Sequence, residues 1–179
     1  MSTPRLSSTS YLVLGLVEGL DGATPYELKQ MVNASIGSFW TFPHSQLYSE
    51  PERLVGLGLL NVDQEESGRR RKRYTITEAG HDTLQTWLQD PQTERSEIRE
   101  PGLLKLFFGE LAGPGDMTRL AESHIRHYQQ ELENYAEIEK GIADQPAMRY
   151  PYATLRLGIS MAQALLAFWT EVAEGRLPG

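Results

Sequence analysis

The sequence predicts a mainly α-helical fold with one small β-hairpin, and three observations carry this prediction. Apolar residues recur at helical spacing over most of the 179-residue chain. Residues 72–77 instead alternate polar and apolar positions, which is typical of a half-buried strand. The polar stretch 92–100 separates this region from two long amphipathic segments. We therefore expect two domains, residues 1–90 and residues 91–179.

Three helices are expected at the start of the first domain. Thr24 is a good N-cap residue, Pro25 suits the first helical position, and Glu27 completes a capping box for the second helix. Pro51 lies inside the third helix, where it removes one backbone hydrogen bond and is expected to kink the helix. The first helix is apolar on nearly all sides, which predicts burial. The predicted helices span residues 7–18, 25–32 and 43–55.

A β-hairpin with a basic side follows, with strands predicted at residues 59–64 and 72–77. Five of the eight lysines and arginines before residue 83 form one run, Arg69 to Arg73. Most charge runs are solvated surface, but this one directly follows a three-helix pattern, which favours a role in binding phosphates. Three helices followed by a hairpin is the order of a winged helix-turn-helix domain, whose third helix enters the DNA major groove.

The second domain is predicted to be helical and to join two copies of the chain. After a fourth helix at residues 79–89 come an apolar run, residues 103–111, and two long helices, residues 117–142 and 151–174, the first capped by Asp116. Each long helix has an apolar stripe at three- and four-residue steps. Two such helices cannot bury both stripes alone, so we expect them to form a homodimer.

Composition excludes several classes of function. The chain has no cysteine, so disulfides, thiolate zinc sites and cysteine nucleophiles are excluded. The sequence contains no phosphate-binding glycine loop, no nucleophile elbow and no convincing paired-carboxylate signature, so we expect neither enzyme activity nor a cofactor. His124 and His127 lie three residues apart without an evident third ligand, so no metal site is expected. No signal peptide or membrane span is recognisable, and we expect a cytoplasmic protein without a membrane partner.

Several motifs resemble the PadR family of transcriptional regulators. Residues 38–48, then Arg53-Leu54 and Gly58-Leu59-Leu60, look like the family's recognition-helix motif. Residues 68–74 and Thr77-Glu78-Ala79-Gly80 are similar to its wing and the exit from the wing. The run from Leu103 to Phe108, with the two long helices, resembles the larger, virulence-activator-like members. The third helix departs from the family at Pro51, where many members carry leucine, and it lacks the lysines often found there.

The resemblance implies a homodimer, joined through C-terminal helices, that binds double-stranded DNA. Most members repress transcription at inverted repeats, and many release DNA when they bind a small, often aromatic, molecule. Ser45 and Gln46 are candidates for contacts with base edges, since glutamine pairs with adenine. Tyr48 is either a phosphate contact or a core residue, and Arg53 either contacts the DNA backbone or forms an internal ion pair. The implied DNA-binding residues are His44, Ser45, Gln46, Tyr48, Arg53, Arg70, Arg71 and Arg73.

Aromatic residues of the second domain suggest where an effector would bind. Trp169, Phe108 and Tyr128 are candidates for such a pocket, although plain core and dimer packing explains most aromatic side chains equally well. Two other functions remain open for the first domain. The first is a transcriptional activator that binds DNA. The second is a protein-interaction module that does not bind DNA, and the net charge of −7 and the weakly basic third helix slightly favour this second function.

Overall fold

The computed structural model describes residues 6–34, 36, 40, 43, 45–64, 71–93 and 99–176. The chain divides into two compact units, residues 1–94 and 95–179. The first unit contains α1 (Ser8–Gly19), α2 (Pro25–Ala34), α3 (Gln46–Gly56), β1 (Leu60–Gln64), β2 (Lys72–Ile76) and α4 (Glu78–Gln89). The second contains α5 (Pro101–Phe107), α6 (Asp116–Ile142) and α7 (Arg149–Ala173), with short 3₁₀ turns at Gly109–Leu111 and Pro146–Met148.

Local capping explains where α1 and α2 begin. The Ser7 hydroxyl accepts the backbone N–H of Ser10, and the backbone N–H of Ser7 donates in return to the Ser10 hydroxyl at 2.9 Å. The predicted capping box of α2 is present, because the backbone N–H of Thr24 donates to Glu27 Oε2 at 2.8 Å and the Glu27 N–H donates to Thr24 Oγ1. These reciprocal bonds satisfy N–H groups that a helix leaves unpaired at its first turn.

The third helix begins later than the sequence predicted. Pro43 is not helical, and its carbonyl accepts the Gln46 N–H at 2.9 Å in a turn that precedes the helix. The α-helix therefore starts at Gln46, three residues after the predicted start. It continues through Pro51, which is buried, to Gly56.

The two strands pair antiparallel, with Val62 opposite Tyr74. On the other side of β2, the N–H groups of Ala23 and Tyr74 each donate to the other residue's carbonyl at 2.9 Å. Ala23, in the segment between α1 and α2, therefore pairs with β2 through one isolated antiparallel bridge on the side away from β1. The core beneath it is formed by buried residues of all three helices, of both strands and of α4: Val13, Leu14, Val17, Leu28, Val32, Leu47, Leu54, Leu60, Tyr74 and Leu84.

The connection from the hairpin into α4 depends on a close backbone approach. The Thr77 hydroxyl accepts the Gly80 N–H at 3.0 Å and donates to the Gly58 carbonyl at 2.8 Å. A Cβ atom on Gly80 would lie 2.1 Å from the Leu59 carbonyl oxygen. Gly80 is therefore the residue that lets α4 pack against the end of α3 and the start of β1.

The second unit is built on two long antiparallel helices. Along α6 and α7, Glu139 accepts a hydrogen bond from Tyr152, and His124 stacks on Trp169. At 27 and 25 residues the helices are about 40 Å long. α6 begins one residue before the predicted start, and its N-cap is Gly115 in the left-handed conformation rather than Asp116. The apolar run predicted at 103–111 forms the shorter helix α5 and a 3₁₀ turn.

Much apolar surface remains exposed on the second unit. The exposed large side chains lie on α5, the following 3₁₀ turn and α7: Leu103, Leu104, Phe107, Phe108, Leu111, Tyr150, Leu157 and Met161. Five of these eight side chains lie within residues 103–111, and large exposed apolar patches mark interaction sites in many proteins. Among the helices described, none combines the length and apolarity needed to cross a bilayer.

Candidate nucleic-acid interface

Three of the predicted DNA-binding residues lie at the start of α3. Ser45 is exposed at the N-cap position, and Tyr48 is 52% exposed, so the core role considered for Tyr48 is wrong. Gln46 is partly buried, because its Oε1 accepts a hydrogen bond from the Thr9 hydroxyl of α1 at 3.0 Å. Its side-chain oxygen is thus engaged inside the domain. His44, also predicted here, lies outside the described residues.

Arg53 forms the internal ion pair that the sequence left as one of two alternatives. Its Nη2 donates to Glu50 Oε1 at 2.7 Å and to the buried Ser10 hydroxyl at 2.9 Å, and its Nε donates to Glu50 Oε2. Burial alone would raise the pKa of Glu50, but the hydrogen bonds from Arg53 and Ser10 outweigh it and lower the pKa. These bonds anchor α3 on α1.

Glu52 joins α3 to β2 of the hairpin. Its Oε1 accepts hydrogen bonds from Lys72 Nζ at 2.6 Å and from the Tyr74 hydroxyl at 2.5 Å. The bond from Lys72, and then that from Tyr74, lower the pKa of Glu52. Burial and the bond to this carboxylate raise the pKa of Tyr74 well above its usual value. The Glu52 carboxylate therefore connects α3, the candidate recognition helix, to β2 through two hydrogen bonds.

Arg73 is held on the opposite side of β2. Its Nη1 lies 3.7 Å from Glu27 Oε2, and its Nη2 donates to the Asp21 carbonyl at 3.1 Å. The hydrogen bonds from Thr24, together with the charges of Arg73 and Arg71, lower the pKa of Glu27. Arg71 is exposed just before β2. Arg70 lies outside the described residues.

These polar residues lie on α3 and at the start of β2, where Lys72 pairs with α3 and Arg73 pairs with α2. α3 presents the exposed Ser45, Tyr48 and Glu52, and the flanking strand presents cationic side chains on both sides. A helix exposed in this way beside a basic hairpin has the chemistry for a major groove and its phosphates. Sequence reasoning missed the part played by Glu52, because its pairing with Lys72 depends on how β2 packs against α3.

The predicted effector residues do not all come together. Trp169 is completely buried and its ring stacks on His124, with centroids 4.2 Å apart. Within the described ranges, its Nε1 has no hydrogen-bond partner. Tyr128 is buried in the same core, but Phe108 is 54% exposed and packs edge-on against Phe107. In the part of the chain that the structure describes, no three histidine or acidic side chains are grouped to hold a metal.

Comparison with known proteins agrees with this architecture. Residues 13–86 match the model of the transcriptional regulator PadR-like family, and residues 98–175 match the virulence activator alpha C-terminal model. The negative transcriptional regulator PadR of Bacillus subtilis is 24% identical over 143 residues, which is 78% of each chain. A probable transcriptional regulator of Mycobacterium tuberculosis is 27% identical over 169 residues, covering 83% of this chain and 87% of the relative.

Solved structures share the fold over nearly the whole chain. Bacillus subtilis PadR in complex with operator DNA superposes with a TM-score of 0.83 at 20% identity, covering 94% of this chain and 98% of that one. The same regulator in complex with p-coumaric acid gives 0.76 at 21% identity, covering 92% and 96%. The Vibrio cholerae virulence activator AphA gives 0.73 at 25% identity, covering 94% and 97%. The chain is thus a transcriptional regulator, not an enzyme, in which a PadR-like domain is followed by a virulence activator alpha C-terminal domain.

Proposed function

We propose that this regulator binds an inverted-repeat operator as a homodimer and represses transcription from the adjacent promoter. One observation carries the proposal: its fold matches, over 94% of the chain, that of a negative regulator captured on operator DNA. Residues 1–90 would bind DNA, and residues 91–179 would dimerise and receive an effector. The protein would act on the chromosome in the cytoplasm.

Within the interface, α3 reads the bases and the hairpin contacts phosphates. The exposed Ser45 and the partly buried Gln46 stand at the start of α3, where base edges are nearest in helix-turn-helix proteins. The exposed Tyr48 hydroxyl is suited to a phosphate oxygen. Arg53 acts from inside by holding α3 on α1. The proposed contacts are His44, Ser45, Gln46, Tyr48, Arg70, Arg71 and Arg73.

The homodimer is supported by the apolar surface of the second unit. Phe107 and Leu111 are each more than 80% exposed, and Leu104, Leu157 and Met161 are exposed as well. Burial of these side chains against a second copy removes apolar area from water, which stabilises association. Sedimentation equilibrium of the full chain tests this step, because a monomer at micromolar concentration would contradict it.

Release by a small aromatic ligand is the regulatory part of the proposal. The relative's complex with p-coumaric acid supports an effector of that class. Trp169 offers an indole N–H, unpartnered within the described ranges, that a polar group on the ligand would satisfy. Because Trp169 is completely buried, the ligand enters only if the surrounding core of α6 and α7 opens. Titration of aromatic acids against tryptophan fluorescence and operator release measures both binding and its coupling.

The DNA-binding test is fluorescence anisotropy with duplexes tiled across the region upstream of the protein's own gene, at two salt concentrations. We expect tight binding to one duplex and weak, salt-sensitive binding to the others. Arg71→Ala should weaken binding to all duplexes alike and reduce the salt slope by about 0.9. Arg126→Ala removes the same charge from the second unit and serves as the control. Ser45→Ala should instead change the preference among duplexes.

Activation is a second candidate, favoured by the match of residues 98–175 to the virulence activator model. A reporter placed behind the bound operator separates the two, because deletion of a repressor raises expression and deletion of an activator lowers it. The absence of binding to any duplex at low salt would instead point to a protein-interaction module.

A further inference from the structure

The two cations at the start of β2 are held by carboxylates from neighbouring helices. Lys72 pairs with Glu52 of α3 at 2.6 Å, and Arg73 lies 3.7 Å from Glu27 of α2. All four side chains are between 41% and 48% exposed. All four are therefore open to solvent, and Lys72 and Arg73 belong to the strand that the proposed function brings to DNA phosphates.

Neither carboxylate needs its charge to maintain the local structure. Glu27 accepts the Thr24 N–H in a capping box, a role that glutamine also performs. Glu52 accepts the Tyr74 hydroxyl, and a glutamine carbonyl accepts such a bond as well. Glu50 differs, because its side chain is only 12% exposed and is bonded to Arg53 and Ser10.

We propose that Glu27 and Glu52 are intramolecular competitors of DNA phosphate that weaken sequence-independent binding by this domain. This inference rests on the proposed DNA-binding function. A phosphate that approaches Lys72 or Arg73 must displace a carboxylate from the same cation. The displaced carboxylate stays nearby and repels the phosphate. The gain from counterion release, which drives sequence-independent binding, is reduced accordingly.

The test compares Glu27→Gln, Glu52→Gln and the double variant with the full wild-type chain on a duplex of arbitrary sequence. Each freed cation adds about one phosphate contact, so the slope of log K against log salt should steepen by about 0.9 per substitution. Over the tenfold range from 1 M to 0.1 M salt, a slope change of about 0.9 corresponds to an affinity change of about eightfold. If wild type and variant bind equally at 1 M salt, each substitution should therefore raise the affinity at 0.1 M about eightfold. Glu137→Gln is the matched control, because Glu137 forms an exposed 2.6 Å pair with Lys140 in the second unit.

A double-mutant cycle separates local competition from a change in net charge. Lys72→Ala should cost little affinity when Glu52 is present and several-fold more affinity in the Glu52→Gln background. The two single substitutions lie on different helices, so one remains informative if the other impairs folding. If the wild type binds DNA and neither variant binds more tightly, the competition is refuted while DNA binding stands. If no form binds DNA at low salt, the proposed function itself is refuted.

Discussion

Replacement of Gly80 by alanine tests how closely α4 must approach the joint between α3 and the hairpin. The added Cβ would lie 2.1 Å from the Leu59 carbonyl oxygen and 2.9 Å from Ile76 Cγ1. Ordinary contact begins at 3.4 Å, so the helix and the Leu59 backbone must separate by about 1.3 Å, the difference from 2.1 Å. No side-chain rotation relieves this contact, because the neighbour is a backbone atom that precedes β1.

The magnitude follows from two opposing effects. Overpacking of a buried site costs up to about 3 kcal/mol, and a backbone clash belongs at that end of the range. Alanine is favoured over glycine in a helix by about 1 kcal/mol, which leaves a net loss of about 2 kcal/mol. For a unit of this size, we expect the melting temperature to fall by about 8–16 °C.

Thermal unfolding followed by circular dichroism measures this loss, with Gly15→Ala as the control. Gly15 lies within α1, and among the described residues no atom comes within 4 Å of a Cβ added there. That substitution should raise the melting temperature by a few degrees, because only helix propensity changes. A Gly80→Ala chain that melts at or above the wild-type temperature would refute the packing argument.

Two further predictions concern the carboxylates of the first unit. Arg53→Ala should destabilise the unit by about 1–3 kcal/mol, because it leaves Glu50 and Ser10 without their cationic donor. The double variant Arg53→Ala/Glu50→Gln should recover part of that loss, as measured by urea unfolding. The free energy of unfolding should also fall as the pH drops below about 5. Glu27, Glu50 and Glu52 have lowered pKa values in the folded state, so in this pH range the unfolded chain binds more protons than the folded chain. The urea midpoint of Glu27→Gln/Glu52→Gln should depend less on pH between 7 and 4, and equal dependence would contradict this origin.

The sequence predicted the elements well because their determinants are local. The Thr24–Glu27 box acts within three residues and is present as expected, and the Thr77 cap of α4 acts over the same distance. The start of α3 was misplaced because Pro43 also suits a first helical position, and only the observed turn distinguishes the two. The fold class was predicted from the spacing of apolar residues and from the order of the elements.

The site was less predictable because its pairings are not local. Glu52 and Lys72 are twenty residues apart, and their pairing depends on the packing of β2 against α3. The basic run therefore looked like free cations, whereas Lys72 and Arg73 have acidic partners within the domain. Phe108 was grouped with Trp169 on aromatic character, but the end of α5 leaves it exposed.

The reciprocal bonds between Ala23 and Tyr74 also have a consequence for how the domain folds. They close a loop of about fifty residues that contains α2, α3 and β1. Closing such a loop costs conformational entropy, and only the packing of α2, α3 and β1 inside it offsets that cost. We therefore expect the sheet and α3 to form together during folding. Sub-global opening of α3 alone should then be rare, and the protection of its amide protons should correspond to the free energy of global unfolding.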